Sequence, residues 1–367
     1  MSPTSNLKRP IDIDGDGLDQ WLSQTIEPPR DPEQRIIDPH HHLWDRRAPD
    51  AYREETPTHS RYIADDLMHD ILQSGHRVLD TVYVECLAMY NEESHSHASV
   101  GEIEFAQGVA ATVASGLYGP GQRCCGALIG FADLTQPDVT DHLEALAQAG
   151  RNFRGVRQAY GWHPSSDIPA NHHPTRRIKG LLSHPDFRAG FTELIERDLV
   201  FDCWGYHFQM GEVAALARDF PTARLVLDHI GGPIARGPYA GQRETKVFDE
   251  WTRGIAELAA CPNVVVKLGG CGMPIYGFDY AGRDNPPPNS QRLAEDWHPY
   301  FTRVIEAFGP ERCMFESNFP VDKVSYSYGV LWNAFKRVAQ AINLSTADRD
   351  QLFFETAART YLIEVAD

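Results

Sequence analysis

The sequence is short of positive charge, has no paired-cysteine motif and contains no long hydrophobic run. Against 51 acidic side chains there are 34 lysines and arginines, a formal net charge of −17. A nucleic-acid backbone is bound through a basic face, so this balance argues against a general nucleic-acid partner. It argues less strongly against an anionic membrane surface, and says little about a small ligand held by a few local arginines. The seven cysteines are odd in number and nowhere spaced C-x-x-C, and the adjacent Cys124 and Cys125 have poor geometry for a mutual disulfide. They read as free thiols of a reducing compartment, and a cytoplasmic location is expected. No stretch reaches the about 18 consecutive apolar residues of a membrane span, and the N-terminus has no signal-peptide core. Neither a G-x-G-x-x-G nor a P-loop follows an early strand, which weakens the case for a doubly wound open sheet.

What is present is an ordinary globular composition, 42% hydrophobic and 23% charged, over 367 residues, enough for a barrel-sized core. Residues 1–34 are polar and close with Pro28, Pro29 and Pro32. They are expected to form an N-terminal extension, poorly ordered, ahead of a single domain over 35–367. Within them "DIDGDG", Asp12 to Gly17, imitates the start of a calcium loop, but Ser23 stands where the bidentate glutamate belongs, so an acidic turn is expected. From Arg35 onward short apolar runs alternate with amphipathic stretches such as "DHLEALAQAG" and "EWTRGIAELAAC". The runs are "RIIDPH", "TVYVECL", "GALIGFADL", "FRGVRQ", "LVFDCWGY", "LVLDHIGG", "NVVVKLGG" and "CMFESNF". Eight strands with helical spacers predict an α/β fold, a (β/α)8 TIM barrel. The proline-rich "GRDNPPPNS", 282–290, reads equally as a lid or an inert insertion.

Chemistry in such barrels sits at the C-terminal strand ends. The first run continues into "IIDPHHHLWD", and strand alternation puts His40 and His42 on one face with Asp38 and turns His41 away. Other strand ends supply Glu85, Asp133, Arg154, Arg157, His207, His229, Lys267 and Asn318. Trp44, Trp162, Trp204 and Tyr206 follow or end strands, where packing is the first expectation and stacking on a flat ring the second. His95, His97, His172 and His173 lie in polar segments and read as solvated loop residues.

"IIDPHHHLWD", "FRGVRQ", "LVLDHIGGP", "VVVKLGG" and "MFESNFPVD" follow one another in register over roughly residues 35–365. Together they resemble the amidohydrolase superfamily, in particular the amidohydrolase-related branch of sugar (fucono-type) lactonases and 2-pyrone-4,6-dicarboxylate lactonase. The resemblance implies a distorted TIM barrel that hydrolyses a small lactone or a related ester or amide. It matches His40 and His42 to the strand 1 pair, His229 to the strand 6 histidine, and His207 approximately to the strand 5 one. Metal-dependent members hold zinc through such histidines and a strand 8 aspartate, which also accepts the proton of the attacking water. In the lactonase branch, members work without a metal. This chain departs at strand 8, where Glu316-Ser317-Asn318 replaces the family's Gly-Ser-Asp. Asn318 is a neutral amide that can orient water or substrate but accepts no proton at neutral pH.

Three carboxylates are candidates to replace that base: Asp322 first for reach, then Glu316, then Glu85. Glu316 reads equally as a structural partner of Lys267 or of a histidine. Lactone hydrolysis needs a polarised carbonyl, an activated water and charge for the oxyanion. The histidines supply the first, directly or through a metal held by His40, His42, His229 and His207. Arg157 is the expected clamp for a substrate carboxylate. Arg154, facing the other way, is a substrate-binding candidate that reads first as a salt-bridge residue. Glu85, His207, Trp44 and Tyr206 complete the expected lining. Three functions follow. The leading one is a lactonase needing no cofactor, acting on a small lactone or carboxylate-bearing ring. The second is a zinc-dependent hydrolase or decarboxylase, and the third a non-catalytic barrel binding a small acid. A homo-oligomer is compatible with each.

Overall fold

The computed structural model of the chain describes residues 17–45, 61–91, 97–168 and 178–364. Eight parallel strands lie in chain order: β1 (Arg35–His41), β2 (Arg77–Val84), β3 (Ala127–Gly130), β4 (Phe153–Arg157), β5 (Val200–Cys203), β6 (Arg224–Leu227), β7 (Val264–Leu268) and β8 (Cys313–Phe315). Their residues are almost all buried, as strands sandwiched between a barrel interior and a helical layer must be. Each is followed by a helix, α2 (Ala64–Ser74) through α9 (Tyr328–Ala341), with a short α1 (Leu18–Leu22) before them. A two-residue antiparallel ladder, Trp44–Asp45 with Arg61–Tyr62, decorates the β1 exit. The strand expected over 81–87 ends earlier, at Val84, because the chain turns out at Leu87, whose φ is +62°.

The barrel closes between β1 and the segment after β8. The N–H groups of Asn318 and His42 donate to the carbonyls of His40 and Phe319, at 2.9 and 2.7 Å. At the same seam the Ser317 N–H donates to Asp38 Oδ1 at 2.9 Å. Inside, Ile37, Val82, Val84, Ala127, Ile129, Val200, Val226 and Met314 form one apolar cluster with Phe354, Ala357, Tyr361 and Ile363 of the C-terminal segment. The C-terminal segment therefore plugs the lower end, and polar residues are confined to the upper part of the strands.

The described part of the N-terminal stretch, residues 17–34, is held against the barrel and is not a free arm. Trp21 Nε1 donates to the Asn285 carbonyl, Thr25 Oγ1 to that of Pro287, and Ser290 N–H and Oγ both donate to Glu27. The loop 282–290 is thereby strapped to the N-terminal segment. Of "DIDGDG" only Gly17 lies within the described residues, and His95, His172 and His173 lie outside them. No described helix is long and apolar enough to cross a membrane.

Candidate active site

The first strand places its histidines through an irregularity. β1 pairs Asp38 with Thr81 and His41 with Tyr83, three steps on one strand against two on the other. The extra residue is a bulge, and it re-aims the side chains that follow. Asp38 accordingly faces the helical layer and not the site. It accepts from the Ser317 N–H and from Tyr328 Oη of α9, at 2.9 and 3.0 Å. Burial pushes its carboxyl up to about 6 despite these donors. His40 and His42 face the interior together, their Nε2 atoms 3.2 Å apart. His41 points away, as alternation requires, against Thr81 Oγ1 at 2.8 Å.

His42 Nδ1 lies 2.8 Å from the Val84 carbonyl. A carbonyl only accepts, so this nitrogen carries the hydrogen and Nε2 presents its lone pair. His40 has Lys267 Nζ and Glu316 Oε2 on its Nδ1 side, at 3.1 and 3.0 Å. Burial holds both rings neutral, with positive charge at Lys267 helping for His40 and at Arg157 for His42.

Four consecutive residues after β6, His229 to Gly232, have positive φ, +52°, +49°, +75° and +62°, and the turn they make lays the His229 ring across the barrel. Glu316 faces it: Oε1 lies 2.6 Å from His229 Nδ1 and accepts the His229 N–H at 3.1 Å. Burial works against this carboxylate, but His229 and His40 pull its pKa down to about 2. The paired glycines of "KLGG" clear the space. A Cβ at Gly269 would lie 2.4 Å from Glu316 Cγ, and one at Gly270 would lie 2.6 Å from the His229 ring. Trp204 packs edge-on to the same ring, centroids 4.8 Å apart.

Beneath the histidines lies a buried ionic cluster. Lys267 Nζ is 2.6 Å from Asp202 Oδ2 and 3.1 Å from Asp228 Oδ1. Burial disfavours its charge, but Asp202 and Asp228 hold the pKa above the ordinary lysine value. Asp202 also accepts from Tyr361 Oη at 3.1 Å, and burial lifts it to about 6. Asp228 is opposed by burial yet held below the usual carboxylate value by Lys267, His229 and Arg157. Asp202 and Asp228 were not among the sequence candidates. Their signal was an aspartate inside an otherwise apolar strand run, "LVFDC" and "LVLDH".

Several expected site residues sit otherwise than expected. Arg157 is buried, but its guanidinium is spent on Glu85: Nε meets Oε1 at 2.7 Å and Nη2 meets the carbonyl at 2.6 Å. Its remaining contacts are Asp228 at 3.5 Å and His40 Nε2 at 3.4 Å. Arg154 bonds the carbonyls of Arg151 and Phe153 at the opposite end of β4, and lies outside the site. His207 faces Glu250 and the Gly232 carbonyl, at 3.7 and 3.4 Å, and shares no metal-type donor set with His40 or His229 among the described residues. Asp322 is buried and already accepts from Asn318 Nδ2, the Gly272 N–H and Tyr326 Oη, at 2.8, 2.8 and 2.6 Å. Asn318, with φ +54°, thus spends its amide on Asp322. Trp44 is buried beside His42, ring centroids 6.4 Å apart, and Tyr206 packs on Trp204 and Phe208.

Two described donor sets have metal-type spacing: His40 with His229 and Glu316, and His40 with Asp202 and Asp228. The first is two imidazoles and a carboxylate, all buried, the donor chemistry of a catalytic zinc site. Glu316 Oε2 in it has no hydrogen-bond partner, so a ligand atom is in hand. The second set already surrounds the Lys267 ammonium and does not fit an added ion.

The amidohydrolase family pattern matches residues 37–363. The chain is 31% identical to the uncharacterized protein y4mH of Sinorhizobium fredii, over 89% of this chain and 98% of that one. It is 30% identical to an L-fucono-1,5-lactonase of Burkholderia multivorans, over 66% of this chain and 73% of that one. Among solved structures it is similar to a Burkholderia multivorans amidohydrolase with bound zinc, with TM-score 0.69, 25% identity, and coverage of 90% of this chain and 99% of that one. With its barrel, its strand-end histidines and this match over nearly the whole domain, the chain belongs to the amidohydrolase family of hydrolases.

Proposed function

We propose that the chain hydrolyses a small lactone without an acidic group of its own, with His229 as general base. The observation that carries this is the Glu316–His229 pair. Glu316 Oε1 takes the hydrogen of His229 Nδ1 at 2.6 Å, which leaves Nε2 as the basic nitrogen. A carboxylate that orients an imidazole and stabilises its protonated form is the arrangement other hydrolases use to draw a proton from a nucleophile. The strand 8 base that the family carries and this chain lacks is thus replaced on the turn after strand 6, with Glu316 as its orienting partner. His40 then faces the substrate carbonyl as the donor, the Nε2 lone pair of His42 lies beside it, and Trp204 walls the ring side.

The charge balance supports a neutral substrate. Around the described site Glu85, Asp202, Asp228 and Glu316 face only Lys267 and Arg157, and both cations are engaged. Among the described residues, a dicarboxylate would enter a field of its own sign with no uncommitted site arginine to receive it. A neutral polyhydroxy lactone, of the kind the L-fucono-1,5-lactonase and L-rhamnono-gamma-lactonase relatives are named for, pays no such penalty.

A second reading is zinc-assisted hydrolysis, favoured by the fit of His40, His229 and Glu316 and by the zinc in the similar Burkholderia multivorans structure. A bound zinc would polarise the carbonyl and acidify a water. The test is acid release from L-fucono-1,5-lactone, L-rhamnono-1,4-lactone and 2-pyrone-4,6-dicarboxylate, before and after chelation. Turnover of the aldonolactones that survives chelation supports the first reading, and loss on chelation with recovery on zinc supports the second. Turnover of the dicarboxylate alone overturns the charge argument. A folded His229→Ala variant at the parent rate overturns the assignment of the base.

A further inference from the structure

We propose that Lys267 is the resident cation of this barrel: its ammonium group fills a ligand set of metal-binding type formed by His40, Asp202 and Asp228, and leaves one donor set among the described residues open to a divalent cation.

One donor atom from each of His40, Asp202 and Asp228 lies within 4.8 Å of the others, a spacing that closes around a single ion. The three come from different elements, β1, β5 and the end of β6, and the fourth strand, β7, brings the ammonium. Its Nζ lies 2.6 Å from Asp202 Oδ2, 3.1 Å from Asp228 Oδ1 and 3.1 Å from His40 Nδ1. It donates to Asp202 Oδ2 and His40 Nδ1 and faces Asp228 Oδ1 as an ion pair. Lysine, both aspartates and His40 are fully buried, so no water competes for the position. An ion at the same point would need ligands at about 2.0–2.2 Å and would sit in contact with a positive charge in a medium of low polarity. Lysine and ion exclude each other.

The ammonium is a looser occupant than an ion would be. Asp202 is held tightly, by Lys267 and by Tyr361 Oη. Both oxygens of Asp228 are buried with no hydrogen bond of good geometry, facing charge alone: Lys267 on one side and Arg157 at 3.5 Å on the other. A smaller, doubly charged occupant would draw that carboxylate in. Truncating Lys267 should therefore convert a salt-bridge cluster into a divalent-cation site. The other donor set, His40 with His229 and Glu316, shares its first imidazole with this one. With lysine present, only the His40–His229–Glu316 set is open to an ion among the described residues.

The experiment is a cobalt(II) and zinc titration of the full chain by calorimetry, with metal analysis after desalting, on wild type, Lys267→Ala and Lys267→Ala/Asp202→Asn. Wild type is expected to hold one ion per chain or none. Lys267→Ala is expected to hold one more than wild type, with the added cobalt visible in its ligand-field spectrum, and the double variant to lose it. A Lys267→Ala protein with the wild-type stoichiometry overturns the proposal. So does wild type that binds two ions per folded chain, a result that needs no variant to fold. The readout is stoichiometry, so the outcome is independent of which ester the enzyme opens.

Discussion

Glu316 lies between two imidazoles: Oε1 accepts from Nδ1 of His229 at 2.6 Å, and Oε2 stands 3.0 Å from Nδ1 of His40. Its carboxylate matters to both orientation and charge. Glu316→Gln keeps the shape, but an amide cannot stabilise a protonated His229 and must turn its NH2 toward one of the rings. The expected result is a fall in kcat of roughly 10²-fold or more with KM changed only a few-fold, read from steady-state hydrolysis of an aldonolactone. Asp322 offers the contrast. Three protein donors already satisfy it, and burial lifts it to about 6. Asp322→Asn must reverse one of those hydrogen bonds, at a cost of about 1–3 kcal/mol. It should lower the denaturant midpoint while kcat stays within a few-fold of wild type. If Asp322→Asn abolished turnover in a folded protein and Glu316→Gln did not, the base would be Asp322 and the His229 assignment would fall.

The strand 1 bulge shows what a single element decides. Because β1 carries one residue more than β2 between Asp38 and His41, Asp38 becomes the clasp that ties β1 to β8 and to α9. Asp38→Ala leaves the buried Ser317 N–H and Tyr328 hydroxyl without an acceptor, and should destabilise the fold by about 2–4 kcal/mol. Urea unfolding checks this, and Tyr328→Phe, which removes one of the two contacts, should cost less. The same element marks how far alternation carries. His40 and His42 were legible as a pair and His41 as turned away, since two-residue periodicity survives on the far side of the bulge. Asp38 was assigned to the wrong face because a bulge leaves no mark in an apolar run. The eight strands and their helices were legible from the alternation of apolar and amphipathic runs. The ionic cluster was not, because Asp202 and Asp228 are single charges within buried strands, and only the closed barrel shows that they meet Lys267. His207 lies one turn beyond the end of β5, in a 3-10 segment, so its place in the order of motifs did not translate into a place in the site.

At the scale of the whole molecule, buried acids and buried histidines titrate against one another. Burial holds His41 at about 3 and His76, His142 and His207 at about 4, so the folded chain refuses protons that the unfolded chain accepts near 6.5. These lowered bases make stability fall as pH falls from 6.5 toward 4. Burial also raises Asp38, Asp202 and Asp322 to about 6 and Glu102 to about 7. A raised carboxyl acts in the opposite sense: the folded chain takes its proton first, and stability rises as pH falls toward the unfolded value near 4. Each group contributes a slope of at most about 1.4 kcal/mol per pH unit, and the two sets overlap between about pH 6.5 and 4.5, so they offset. The melting temperature should therefore be nearly flat between pH 7 and 5, and single substitutions should tilt it in opposite directions. His41 lies away from the site and its Nδ1 has no partner, so His41→Gln removes one lowered base. Its melting temperature relative to wild type should improve steadily from pH 7 to pH 5. Glu102 accepts from Tyr83 Oη and from the N–H groups of Cys86 and Ala88. Glu102→Gln removes one raised acid, and relative to wild type it should worsen over the same interval. Differential scanning calorimetry at four pH values decides the matter: two variants that tilt the same way would mean that these buried groups do not set the acid response, and that relief of the −17 net charge does.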